Sequence, residues 1–420
     1  MPHVPYRRLV ELSGRPFLVV GFLSRLPASM GQMGTLTLVS QTAGSYAAGG
    51  LAAGVLGVST ALGSPVFGAL TDRYGQRRIV LLQGLASSLG FVGLVLAARS
   101  GAVGLLLVAA AVAGFFVPQV GVMARVRWRA LVHRPPVHDP SDHRPQDHSH
   151  QRRAESPESV LSTAYAYESI VDELGFVLGP ALVGIMVAVG DPSVAVLSVC
   201  ALLLVFGSAF AMHPTGAIVP RGGAGRRGPR GPAGGLVMVS VAMFALGCLF
   251  GSLQTATTSF AGERGDPGLA GLLYALSGIG SALAGYGVPR LPAGWGLLAR
   301  LRLFALLMLP LSLPLVLAPT LVGYGAGLLV LGTCMAPYMI TCFTLVERVV
   351  RPEQLGAATS LLPATVNIGY AVAASVAGAA SDASGTGGAL ATVIGAIVLM
   401  NAVAWIGGLL VRHLVRPATG

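Results

Sequence analysis

Apolar residues in this chain come in blocks rather than at intervals. Runs of about 20 or more residues with almost no charge are separated by short polar connectors, and that is the length a helix needs to cross the hydrocarbon of a bilayer. The blocks predict spans at about 16–40, 47–70, 79–98, 102–124, 162–190 and 194–212. A second set follows at about 235–260, 268–287, 301–319, 321–346, 357–380 and 389–411. The expected fold class is an all-α polytopic membrane protein, with twelve transmembrane helices in two six-helix halves. Residues 1–15 form the N-terminus, 16–212 the first half, 213–234 a linker, 235–411 the second half and 412–420 the C-terminus. The first apolar run is too long for a cleaved signal peptide and lacks a clear small-residue cleavage site.

Composition strengthens this reading. The chain is 54% hydrophobic and 10% charged, with a mean hydropathy of +0.74, whereas soluble domains carry roughly 25% charged residues. The net charge of +11 rests on 27 arginines and no lysine. These arginines flank apolar spans instead of sharing one folded face, so the basicity does not point to nucleic acid. Cys200, Cys248, Cys334 and Cys342 all lie in apolar runs and read as small buried hydrophobes, not as disulfides or metal ligands.

Arginine also orients the spans. Connectors at 71–78, 125–160, 213–234, 288–300 and 347–356, together with both termini, hold 24 of the 27 arginines when Arg302 is counted with its connector. Arg99 and Arg264 fall on the other side, and Arg25 lies within a span. The asymmetry predicts a multi-pass protein of the cell membrane with both termini cytoplasmic. Two connectors are long. The linker carries Gly225-Arg-Arg-Gly-Pro-Arg-Gly-Pro232 and reads as flexible. An insertion at 130–158 holds His133, His138, His143, His148 and His150 among Pro, Asp and Arg. Its loose spacing and lack of cysteine argue for a solvated segment rather than a metal site.

The connector after the second span reads Gly68-Ala-Leu-Thr-Asp-Arg-Tyr-Gly-Gln-Arg-Arg78. Gly68 and Gly75 permit close approach and positive φ, and Asp72, Arg73, Arg77 and Arg78 form a charge cluster that stays out of hydrocarbon. This G-x-L-x-D-R-x-G-x-R-R pattern, in this place, resembles the loop between the second and third helices of the major facilitator superfamily. The halves also look like repeats. Gly50-Leu-Ala-Ala-Gly leads the second span and Gly268-Leu-Ala-Gly-Leu the eighth, while Pro118 and Pro337 sit in the fourth and tenth. The resemblance implies two rocking halves, a central cavity, transport as the activity, and Asp72 as a gating residue against the start of the eleventh span.

The chemistry concentrates in the fifth span, Ser162-Thr-Ala-Tyr-Ala-Tyr-Glu-Ser-Ile-Val-Asp-Glu-Leu-Gly-Phe-Val-Leu-Gly-Pro180. Acidic residues at membrane depth are expensive and point to function. Glu168, Asp172, Gly175 and Gly179 recur at helical spacing on one face, with Glu173 turned away. Asp172 lies roughly 15 Å in from the span's start, near the midplane. Gly175-x-x-x-Gly179-Pro180 resembles the fifth-helix signature of proton-coupled efflux antiporters of the superfamily; the same glycines also suit packing against the eighth span. Aligning Gly175 with Gly369 sets Leu362, Val366 and Asn367 opposite the three acids, so the second half kept the helix without the carboxylates.

Arg25 is the expected partner of these acids, in a static or a proton-switched ion pair. The fourth span, Leu105–Met123, has no arginine, which departs from many efflux members. An apolar cavity with Gln32, Gln119, Gln254 and Asn367 suits a small amphipathic compound, although such amides also serve as interhelical hydrogen bonds. The expected protein is a monomeric proton-coupled exporter, with protons, membrane lipid and a small molecule as partners, and no cofactor, metal or nucleic acid. A proton-coupled importer is the alternative. A polytopic membrane enzyme is disfavoured for want of a nucleophile, metal cluster or phosphate loop, and an ATP-driven pump for want of G-x-x-x-x-G-K-[ST].

Overall fold

A computed structural model describes residues 6–133, 157–219, 233–292, 295–318, 320–350 and 355–410. Most of the histidine-rich insertion and of the central linker therefore lies outside the described residues. Helices α1 (Tyr6–Ser13), α2 (Arg15–Leu23), α3 (Leu26–Ala43), α4 (Tyr46–Tyr74), α5 (Gln76–Ser100), α6 (Val103–Phe115) and α7 (Val120–Val132) come first. Then follow α8 (Pro157–Val189), α9 (Pro192–Leu202), which runs through a π-turn into α10 (Ser208–Met212), α11 (Ala233–Glu263) and α12 (Leu269–Gly287). The chain ends with α13 (Leu297–Leu317), α14 (Leu321–Gly332), α15 (Met335–Val349), α16 (Leu355–Ala402) and α17 (Gly408–Leu410). Among the described residues, ten stretches are long and apolar enough to cross a membrane.

Several predicted spans are interrupted, the tenth between Gly332 and Met335. The first predicted span breaks at Ser24–Arg25, because Pro27 has no N–H to continue the helical ladder. The fourth breaks at Pro118 and restarts at Val120. Inside α16, Ser384 (φ −143°, ψ 16°) and Gly385 (φ 66°, ψ −159°) leave helical geometry. A side chain at Gly388 would strike the Ala380 carbonyl, although eight residues of straight helix separate atoms by about 12 Å. The chain therefore doubles back at this turn.

One expectation is corrected here. The connector predicted at 125–160 begins as helix, since α7 continues to Val132. Arg127 and Trp128 on it are fully buried. The apolar run does end near Met123, but α7 tucks under the bundle: Trp128 packs edge-on against Phe17 at 5.3 Å, and Arg127 stacks over Phe210 at 3.7 Å.

One apolar core runs through α3–α9 and takes in Ala261 and Ala270 of the second half, and another runs through α11–α16. A small cluster of Leu36, Ala53, Tyr370 and Ala374 bridges them. Across the halves α4 and α16 run antiparallel, with Gly378 against the Tyr46 carbonyl, Gly50 against Ala374 and Gly57 near Asn367. Helices α8 and α12 meet through Gly184 and Gly271, where a Cβ would collide with facing backbone. These contacts end midway. A Cβ at Gly68 or Gly175, nearer the arginine-rich end, would meet nothing within 4 Å.

Candidate functional site

The break at Ser24–Arg25 places Arg25 inside the first half, where it is only 7% exposed. Its Nη2 donates to Glu168 Oε2 of α8, and its Nε lies 3.4 Å from Asp172 Oδ1, an ion-pair distance. The restart at Val120 turns Gly121, Arg125 and Trp128, spaced by four and three residues, toward the same point. Arg125 Nη2 donates to Asp172 Oδ2 at 2.6 Å, and Trp128 Nε1 to Glu168 Oε1 at 2.6 Å. A Cβ at Gly121 would stand 3.1 Å from Asp172 Oδ1 and 3.4 Å from Arg25 Nε, so this glycine leaves room for the network.

The order Trp128–Glu168–Arg25–Asp172–Arg125 balances two cations with two anions. Its two ends differ. Glu168 is 1% exposed, while the side chains of Asp172 and Arg125 are 31% and 35% exposed. The Glu168 end is enclosed with both carboxylate oxygens partnered, and the Asp172–Arg125 end is open. Glu173 is half-buried and has no hydrogen-bond or ion-pair partner among the described residues.

Sequence reasoning missed Arg125, Gly121 and Trp128. The expectation of a fourth span without arginine is thus corrected: the apolar run ends at Met123, but the helix continues through Arg125. The glycines also divide differently from the expected packing against the eighth span. Gly179 faces Ser29 of α3, whose hydroxyl donates to the Gly175 carbonyl at 2.9 Å, and Gly184 takes the contact with α12. Pro180, next to Gly179, offers its carbonyl toward Gly271.

Gln32, Gln254 and Asn367 sit between the halves. Gln32 Nε2 reaches Asn367 Oδ1 at 3.4 Å. Gln254 is buried, donating to Met33 Sδ at 2.8 Å and accepting from Tyr370 at 2.9 Å. Gln119 caps α7 through its backbone. At the end remote from the arginines Asp382 caps α4, with Oδ1 accepting from Tyr46 N at 2.7 Å and Oδ2 from Ala47 N at 3.0 Å and Ser45 Oγ at 2.6 Å. In the connector at the other end Gly75 takes φ 86°, and Arg73 lies 5.3 Å over the Tyr74 ring. Asp72, Arg77 and Arg78 are exposed, and Asp72 has no partner among the described residues. No group of three His, Cys, Asp or Glu is placed to hold a metal among those residues.

A family model described as the Major Facilitator Superfamily matches residues 154–374, just over half of the chain. The chain belongs to that superfamily. Among solved structures it is similar to the nucleoside transporter NupG, with TM-score 0.69 at 13% identity over 94% of this chain and 98% of that one. It is also similar to a bacterial homologue of the human lysosomal transporter Spinster in an inward-facing, occupied conformation, with TM-score 0.67 at 15% identity over 99% and 100%. The human organic anion transporter MFSD10 gives TM-score 0.60 at 18% identity over 96% and 100%. At such identities these structures speak for the fold and not for the cargo. No curated protein sequence matches. As a transporter of this superfamily, the chain has its charge network within one half and its amide pairs between the halves.

Proposed function

We propose that this transporter exports a small amphipathic organic compound across the cell membrane in exchange for protons, by alternating access. The α2–α3 pair then makes one crossing and the two limbs of α16 make two, giving twelve crossings in two six-helix halves with both termini cytoplasmic. The observation that carries the proposal is the half-open network Arg25–Glu168–Asp172–Arg125. A proton taken by Asp172 removes one of two carboxylates and leaves Arg125 without its partner. The span that presents Arg25 is broken at that residue and the one that presents Arg125 is broken before Val120, so their short segments can shift when the pairing changes. Gln32, Gln119 and Asn367 then line the cargo path, and Gln254 joins them once the halves part.

The gating acids fit the same cycle. Asp382 latches α4 while the arginine-rich side is open. Asp72 is positioned to dock on the start of α16 when that side closes, since a helix N-terminus attracts a carboxylate. Proteoliposomes loaded with candidate compound test the proposal. An acid-outside gradient is expected to drive the compound against its concentration from the cytoplasmic face. Movement in the same direction as protons makes the protein an importer instead.

A further inference from the structure

We infer that the cargo carries a positive charge and that Glu173 is the carboxylate that receives it, an inference that rests on the exporter reading above. Glu173, Val177, Pro180 and Gly184 recur at i, i+4, i+7 and i+11, along one line of α8. That line faces α12 of the other half. A Cβ at Gly278 would stand 2.8 Å from Val177 Cγ2, one at Gly271 would strike the Pro180 carbonyl, and one at Gly184 would lie 2.6 Å from the Gly268 carbonyl. The two helices run antiparallel through these contacts, so the next turn sets Glu173 opposite Ala282. Glu173 thus sits on the seam between the halves, one turn beyond Val177 and about 100° round the helix from Asp172.

Its charge is the one that the protein does not compensate there. Arg25 and Arg125 are both spent on Glu168 and Asp172. Helix α12 holds no charged residue from Leu269 to Gly287; its titratable groups are Tyr274 and Tyr286, and Tyr286 lies under Arg290 at 4.4 Å. Glu173 itself is half-buried and without a partner among the described residues. An ionised carboxylate at membrane depth is costly unless something of opposite charge meets it. Closing the arginine-rich end draws α12 onto this turn and sets the carboxylate against the Ala282 methyl, a step that is favoured only once its charge is neutralised. A cargo with an ammonium or other organic cation on an apolar body neutralises it on the way out, and a proton does so on the return. Only one of the two can occupy the carboxylate at a time, as exchange requires.

Three probes of similar shape and different charge test this on the full-length protein in detergent: tetraphenylphosphonium, neutral triphenylphosphine oxide and tetraphenylborate. Binding is read by isothermal titration calorimetry and by the thermal unfolding midpoint. The cation is expected to bind roughly tenfold or more tightly than the neutral probe, as pairing of a desolvated charge implies, and the anion not to bind. Glu173→Gln is expected to bind cation and neutral probe alike, and Glu173→Asp to keep part of the preference. Equal binding of cation and neutral probe by the wild-type protein overturns the inference without recourse to any variant. So does a Glu173→Gln protein that keeps the wild-type preference for the cation, or tetraphenylborate binding as tightly as the cation. These are equilibrium measurements without a gradient, so their failure leaves export to the proteoliposome experiment. Conversely, a cation that binds through Glu173 and moves inward with protons upholds the site and overturns the exporter.

Discussion

The two ends of the α4–α16 pair are built from the same parts and are in opposite states. At the end remote from the arginines, Asp382 of one half caps the first turn of α4 in the other, and glycines bring the backbones together. At the arginine-rich end Asp72 stands near the close of α4 and is exposed. Because the helices run antiparallel, each aspartate near a C-terminus is matched to the other helix's N-terminus. Asp382 is engaged and Asp72 has no partner among the described residues, and the glycine contacts between α4 and α16 stop at the midpoint. The charge network lies on the arginine-rich side of that midpoint.

Breaking the network at its buried end has the largest expected effect. Arg25→Ala strands Glu168, and removing one partner of a buried pair costs about 3–5 kcal/mol. Thermal unfolding in detergent is expected to register this loss, and Arg25→Ala with Glu168→Gln to recover part of it. Next comes the sealed end itself. A Cβ at Gly54 already lies 2.9 Å from the Ala371 carbonyl, so Gly54→Leu overpacks the seam by about 1–3 kcal/mol. Electron–electron distances between labels on α4 and α16 are expected to lengthen there; unchanged distances place the seam elsewhere.

The latches give smaller effects of opposite sign. Asp382→Asn weakens a helix cap, a loss of about 0.5–2 kcal/mol, and is expected to shift the population toward opening at that end. Asp72→Asn removes a contact of about 0.3–2 kcal/mol in the other state and is expected to favour opening on the arginine-rich side. The same labels read both, and two variants that shift the distances in the same direction contradict the reciprocal arrangement. Smallest of all, deleting 135–153 in the histidine-rich insertion is expected to leave folding and transport rate unchanged. Activity lost and not restored by a linker of equal length makes that segment functional.

Much of this was legible in the chain because length and charge are one-dimensional signals. The apolar blocks located nearly every span, and the helical spacing of Glu168 and Asp172 put them on one face. Partners across the bundle were harder. Arg25 stood out as the lone arginine inside a span, but Arg125 sat just past an apolar run and looked like loop. Its role depends on the restart after Pro118, which hydropathy does not register. Asp382, in Ala-Ser-Asp-Ala-Ser-Gly, resembled any short connector, since nothing local tells that its carboxylate meets the amides of Tyr46 and Ala47. Gly175 and Gly179 shared a face correctly, yet which helix each one met was a property of the tertiary packing.

The claim that Asp172 and Glu168 couple protons to cargo is tested most directly in proteoliposomes carrying Asp172→Asn or Glu168→Gln. Each is loaded with substrate and given an acid-outside gradient, with uphill movement and gradient-free substrate exchange measured side by side. The account predicts that Asp172→Asn abolishes uphill movement while exchange continues near the wild-type rate, with Glu168→Gln acting in the same direction. Wild-type accumulation against the gradient by both variants contradicts it and makes the network a structural brace.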